Sequence, residues 1–146
     1  MSEPVSSPVR STRETVDLLL RTITEGTRDD LADLYAEDVV ISNPFAPDGV
    51  PNESRGNAQL RARMKSFQQY LAYDAVKDVT VHETIDPQVA IVEFTLVGTL
   101  VPTSERFELP AINVIRVVDG LITESRDHTD GVRVAALFAR IQAVGG

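Results

Sequence analysis

The sequence predicts an α+β domain in which a curved antiparallel sheet wraps around helices, and three observations predict it. Its first half carries apolar stripes at helical spacing, bounded by capping residues. Its second half carries apolar residues at alternate positions. The connections between those alternating segments are short, which makes neighbouring strands antiparallel. A chain of 146 residues, 42% of them hydrophobic, is one domain by size and can bury one real core.

Residues 1 to about 10 are rich in Ser and Pro and read as a mobile tail, with the single domain running from 11 to 146. Ser11 and Glu14 have the spacing of a capping box, and Gly26 follows as a stop. Between them Val16, Leu19, Leu20 and Ile23 form the stripe of a first helix. Asp29 or Asp30 opens a shorter second helix with Leu31, Leu34 and Tyr35 on one face. Residues 39–43 read as a strand halted by Pro44. The segment from there to Gly56, with Pro47, Gly49 and Pro51, reads as an irregular loop and a candidate lid. Asn57 is the expected N-cap of a third helix bearing Leu60, Met64, Phe67 and Leu71. Strands follow over roughly 75–83, 89–101, 106–118 and 121–129, and a last helix runs from Val132 to about Ala143.

The faces of the strands can be read from their alternation. Ala90, Val92, Phe94, Leu96, Gly98 and Leu100 share one apolar face, which points inward. On the next strand Phe107, Leu109, Ala111, Ile115 and Val117 are apolar and only Asn113 interrupts them. A loop of Pro102 to Glu105 would set Phe94 opposite Asn113 and Leu96 opposite Ala111. The following turn allows two registers. As a two-residue turn, Asp119-Gly120 would place Arg126 beside Asn113 and bury Arg126 and His128. A three-residue loop with a bulge at Gly120 would place Ser125 there and bury Ser125 and Asp127.

Composition narrows the function classes. Fourteen basic against twenty-two acidic residues give a net charge of −8, which repels nucleic acid and anionic lipid. There is no cysteine and there are two histidines, so neither a thiol nucleophile nor a zinc-type spacing is present, and no metal or cofactor is expected. No apolar run reaches the roughly 18 residues of a spanning helix, so a soluble cytoplasmic protein is expected.

The segments LADLYAEDVVISNP (31–44) and INVIRVVDGLITESRDHTD (112–130), with the Pro/Gly loop ending in Gly56 ahead of a helix, carry a family resemblance. Over about residues 13–142 the chain resembles the nuclear transport factor 2-like superfamily. Within it, the likeness is to the SnoaL-like polyketide cyclases, with ketosteroid isomerases and limonene epoxide hydrolases as relatives. The resemblance implies a cone-shaped α+β barrel enclosing a deep apolar pocket, and it favours the bulged register. It places Asp127 where the cyclases have an acid or base and the epoxide hydrolases a catalytic acid. It also places Asn43 where the isomerases have their base, and Asn113 where an isomerase acid or a cyclase histidine stands. The epoxide hydrolases' Arg and second Asp fall on Phe94 and Leu96.

A lone carboxylate in an apolar concavity should have a raised pKa suited to general acid or base work, which makes Asp127 the proton-transfer candidate. The bland alternative is a strand-end carboxylate paired with Arg126 or Arg133, or capping the last helix. Asn113 and Asn43 are the candidate donors to an oxygen on which charge develops; core or turn amides are their structural alternatives. Tyr35, Met64, Phe67, Phe94, Leu96, Leu109 and Ser125 are the expected substrate-binding residues. His128, on the opposite face of its strand from Asp127, and His82 are read as surface residues. The expected activity is cofactor-free proton transfer next to a carbonyl on a small apolar, possibly polyketide-like substrate. A non-catalytic binding protein is the alternative, and a dimeric interaction domain with a filled pocket is a third. Ile112, Val114 and Arg116 on the outer face point to a homodimer.

Overall fold

The structure, a computed structural model, describes residues 9–145. Residues 1–8 of the expected tail lie outside the described residues. Arg10 does not belong to a tail, because its Nη2 donates to the Gly120 carbonyl at 3.0 Å.

Helix α1 (Thr12–Glu25) starts at the expected capping box of Ser11 and Glu14 and ends at Gly26. Helix α2 (Arg28–Ala32) is capped by Thr27, not by Asp29 or Asp30: Thr27 and Asp30 form a second reciprocal box. It ends three residues before Tyr35, which opens strand β1 (Tyr35–Ser42) instead of lying on the helix. The long loop contains a short strand β2 (Glu53–Arg55) paired antiparallel with β1. Helix α3 (Asn57–Gln68) has Gly56 at its N-cap. Asn57 does not cap it, since its amide nitrogen donates to the carbonyls of Ala32 and Tyr35, both at 2.9 Å, and ties α3 to the α2–β1 junction. Strands β3 (Leu71–Glu83), β4 (Val89–Leu100), β5 (Glu105–Val118) and β6 (Leu121–Thr129) follow, and helix α4 (Gly131–Gly145) completes the order.

The six strands form one open sheet in the order β2-β1-β6-β5-β4-β3. All neighbours are antiparallel except β1 and β6, which run parallel; one helix and four strands lie between them in sequence, so no short-loop argument could anticipate that pairing. The β4–β5 loop is Val101 to Ser104, with Ser104 at a positive φ of 60°, and Glu105 joins the strand. This moves the register two residues from the expected one: Phe94 faces Ala111, Leu96 faces Leu109, and Val92 faces Asn113. A shift of two preserves the inner face.

The β5–β6 connection combines features of both expected registers. Asp119 (φ 52°) and Gly120 (φ 77°) make a two-residue turn with both residues left-handed, and Val118 pairs with Leu121. The register then slips by one residue between Val117↔Ile122 and Arg116↔Glu124, because β6 carries Thr123 as an extra residue. Beyond this bulge Asn113 is opposite Asp127, with Ser125 beside Ile115, while Arg126 is exposed. Neither Arg126 nor Ser125 faces Asn113.

Buried side chains gather in two clusters. One joins Val16 and Leu19 of α1, Leu31 and Leu34, Ala90 and Val92 of β4, and Ile115, Val117 and Ile122 at the β5–β6 end. The other joins Leu71 and Leu100 with Leu137 and Ile141 of α4, and Phe67, Tyr70, Tyr73 and Phe107 pack against it. Gly98 fits between β3 and the Phe107 ring, where an added Cβ would lie 2.5 Å from the Ala72 carbonyl oxygen. Gly98→Ala should therefore destabilise the domain by about 1–3 kcal/mol, read as a lower urea midpoint with an unchanged slope.

Candidate active site

Between the two clusters the sheet, α3 and α4 enclose a cavity of about 260 Å³. Each element contributes one face to it. The α3 stripe presents Leu60, Arg63, Met64 and Phe67, at the i, i+3, i+4, i+7 spacing of one helical face. Strand β1 and its extension give Tyr35, Ile41 and Asn43; β3 gives Tyr73; β6 gives Asp127 and Thr129; α4 gives Val134, Leu137 and Phe138. Val50, Pro51 and Asn52 of the β1–β2 loop close one side, held by the Asn43 N–H donating to the Asn52 carbonyl at 2.8 Å.

Asp127 is the one acid in this lining. The structural partners considered for it are engaged elsewhere: Arg126 pairs with Glu124 at 3.1 Å, and Arg133 with Asp130 at 3.3 Å. Asp130 is also the residue that caps α4, its Oδ1 accepting from the N–H groups of Val132 and Arg133. Asp127 instead accepts a hydrogen bond at Oδ1 from the Ser125 hydroxyl, itself 2% exposed. Burial pushes the Asp127 carboxyl above the ordinary carboxylate range, against smaller opposing effects of the Ser125 hydrogen bond and the charges of Arg63 and His128.

Two amides flank it on neighbouring strands. Asn113 is directly opposite on β5. On the other side Ile41 of β1 lies beside Ser125, and one inward step further brings Asn43 to the end of β6, where its Nδ2 donates to Thr129 Oγ1 at 3.1 Å. The Oδ1 atoms of both amides are buried and have no hydrogen-bond partner among the described residues. Each such orphan costs about 1–3 kcal/mol, which a proton on a neighbouring acid or a ligand donor would offset. Rotation of a side-chain amide exchanges its acceptor for two N–H donors, so the same pair can also serve an oxyanion. Burial, then the Asp127 charge, then Tyr73, push the Tyr35 phenol well above its ordinary range, so it remains an O–H donor.

Of the residues expected to bind substrate, Tyr35, Met64, Phe67 and Leu109 line the cavity. Ser125 supports Asp127 from behind without lining it. Phe94 and Leu96 do not reach it: β4 lies against α1 at this end, Phe94 packs on the first cluster, and Leu96 is half-buried across from Leu109. Asn113 also falls outside the lining, as the immediate neighbour of Asp127. Sequence reasoning missed Arg63, Tyr73 and Thr129. Arg63 was readable, since it interrupts the apolar stripe at an inward position. His128 sits on the outer face against Phe45, with ring centroids 5.3 Å apart, and exposed His82 pairs with Glu93 at 2.6 Å.

A wider groove of about 720 Å³ runs outside, between the α1–α2 junction and α3, sharing Met64, Leu71 and Tyr73 with the cavity. Its Arg61 is paired with Asp29 and Asp33, and its lining holds no buried carboxyl comparable to Asp127. Among the described residues no three His, Asp or Glu side chains lie close enough to share a metal ion, and no helix is long and apolar enough to cross a membrane.

Comparison with known proteins agrees with this architecture. The chain is 30% identical over 127 residues to the uncharacterised PhzA/B-like protein PA3332 of Pseudomonas aeruginosa, covering 87% of this chain and 85% of that one. A crystal structure of a candidate isomerase from Bacillus subtilis superposes with a TM-score of 0.79 at 25% identity, covering 88% of this chain and 92% of that one. A candidate polyketide cyclase from Pseudomonas putida shares the fold, with a TM-score of 0.74 at 18% identity and coverage of 88% and 98%. The profile of the SnoaL-like domain matches residues 16–125, and with that match, the bent sheet and the enclosed acid, the chain belongs to the SnoaL-like domain family.

Proposed function

We propose that this chain is a cofactor-free small-molecule enzyme that transfers a proton next to a carbonyl, in a cyclisation, isomerisation or hydration and dehydration. The observation that carries this reading is Asp127, the single carboxyl lining the cavity, without an ion pair among the described residues and raised by burial toward the working range of a general base. Ionised Asp127 takes a proton from the carbon beside a substrate carbonyl, and the C–H electron pair moves to make an enolate. The enolate oxygen accepts from the Tyr35 hydroxyl and from the amide N–H of Asn43, both of which line the cavity, as charge accumulates there. Protonated Asp127, whose O–H can be accepted by an amide Oδ1, then returns the proton at a second position. The likeness to a candidate isomerase supports the reaction class, and the polyketide cyclase fold supports an apolar oxygenated substrate. The cavity, at about 260 Å³, sits just below the roughly 300 Å³ at which drug-sized sites begin, which favours a compact substrate.

A binding role at the same cavity is the second reading, favoured by the amides at positions 43 and 113 and the apolar Phe94 and Leu96, where the family resemblance puts acids, bases or an arginine. In either case two copies associate through the outer sheet face, where Ile112 is 44% exposed beside half-buried Val114. Light scattering at micromolar concentration should return twice the monomer mass; a monomer mass would remove the pairing.

Asp127→Asn keeps shape and removes basicity, so turnover should fall by about 10² to 10⁴-fold with ligand binding retained. Unchanged turnover would take Asp127 out of the mechanism. Asn43→Ala should cost less, about 10 to 10³-fold, as one donor among several.

The same substitution has a stability signature. Between the unfolded carboxyl pKa of about 3.9 and the higher folded value, the folded chain keeps a proton that the unfolded chain has released, so stability falls as pH rises through that interval. Asp127→Asn removes this penalty. The variant should be more stable than the parent at neutral pH by thermal unfolding, and the difference should shrink as pH drops below the unfolded pKa.

A further inference from the structure

Arg63 is the only basic residue in the cavity lining. It stands on the inward stripe of α3 between Leu60 and Phe67, where the other lining positions, Leu60, Met64 and Phe67, are all apolar. Its guanidinium makes no hydrogen bond and no ion pair among the described residues. The contrast with its neighbour on the same helix is direct: Arg61 bonds Asn57 Oδ1 at 2.6 Å and is held by Asp29 and Asp33. A half-buried arginine at the cavity with five N–H donors unspent among the described residues presents a planar, positively charged fork that pairs with a carboxylate or a phosphate through two parallel hydrogen bonds, and in a cavity of about 260 Å³ that already holds an acid the smaller, less charged carboxylate is the better fit.

We propose that the substrate of this cavity carries a carboxylate, and that Arg63 anchors it so that the neighbouring carbonyl of the same molecule is presented to Asp127. The assignment rests on the proton-transfer reading of the site and adds the class of substrate to it: a compact acid with a carbonyl near its carboxylate. Placement is consistent with both roles, because Arg63 on α3 and Asp127 on β6 line the same cavity from different elements, close enough for the arginine's charge to act on the acid. A bound carboxylate neutralises that charge. Arg63 then no longer favours the ionised form of Asp127. An anchor on the helix thus fixes the orientation of the substrate, while the sheet supplies the group that moves the proton.

The test uses benzoate and benzamide, a matched pair of similar size that differ in charge, titrated into the full chain and followed by the amide resonances of cavity residues. Wild type should bind benzoate at least about tenfold more tightly than benzamide, the difference expected of one charge-assisted fork. Arg63→Gln, which keeps helix propensity, should remove that preference without changing benzamide affinity, and Arg63→Lys should restore part of it. Asp127→Asn should retain the preference, since it does not touch the anchor. Equal binding of the two probes by wild type, no binding of benzoate at millimolar concentration, or an undiminished preference in Arg63→Gln would each overturn the proposal. The two readings fail separately: a benzoate preference lost in Arg63→Gln together with turnover indifferent to Asp127→Asn would keep the anchor and discard the proton-transfer role.

Discussion

One extra residue in β6 decides what this molecule places inside. A two-residue turn at Asp119-Gly120 followed by regular pairing would send Arg126 and His128 inward. Thr123 breaks the alternation, and from Ser125 onward the opposite set of side chains faces the interior. The serine, the acid and Thr129 line up there, while Arg126 goes to solvent and pairs with Glu124.

The cavity exists because the hydrophobic core is divided. The first cluster is sealed by α1 lying on β4 and β5, and the second by α4 lying on Leu71 and Leu100. Helix α1 does not reach the middle, which α4 borders with Val134, Leu137 and Phe138. There α3 contributes a stripe that is half apolar packing and half site, and the β1–β2 loop closes the remaining side. Stability is thus carried at the two ends, where buried residues are mostly Leu, Val and Ile, and the middle, which the half-buried Arg63 borders, can hold a desolvated acid and two amides with unpaired oxygens. Those groups are costly to bury. That cost is the physical signature of a place built around something other than packing.

Much of the fold was legible in the residues themselves. The Ser11–Glu14 box, the stop at Gly26, the α3 stripe and the β4 and β5 inner faces depend on neighbours three, four or two positions apart, and local rules read them well. The errors fell where two local signals competed. Thr27 and Asp30 form a reciprocal box, which outbids a lone aspartate as the start of α2. Asn57 looks like a cap but finds two carbonyls of the α2–β1 junction. The β4–β5 loop slipped by one residue at each end, which left the inner face intact but moved Phe94 away from the site.

The sequence alone determined the groups on which the site could draw: an aspartate near the end of the last strand, amides at 43 and 113, an apolar stripe on α3, and no thiol chemistry. These follow from residue identity and periodicity, whereas the inward direction of Asp127 was left between two registers until the extra residue Thr123 fixed it. Only the tertiary structure decided which of them meet. The parallel pairing of β1 with β6 brings Asn43 to Asp127 from more than eighty residues away, and no local pattern encodes a partner at that distance. The depth of the cavity, the exclusion of Phe94 and Leu96 and the freedom of Arg63 likewise depend on how far two separately packed clusters stand apart, and that spacing is a property of the whole sheet's curvature.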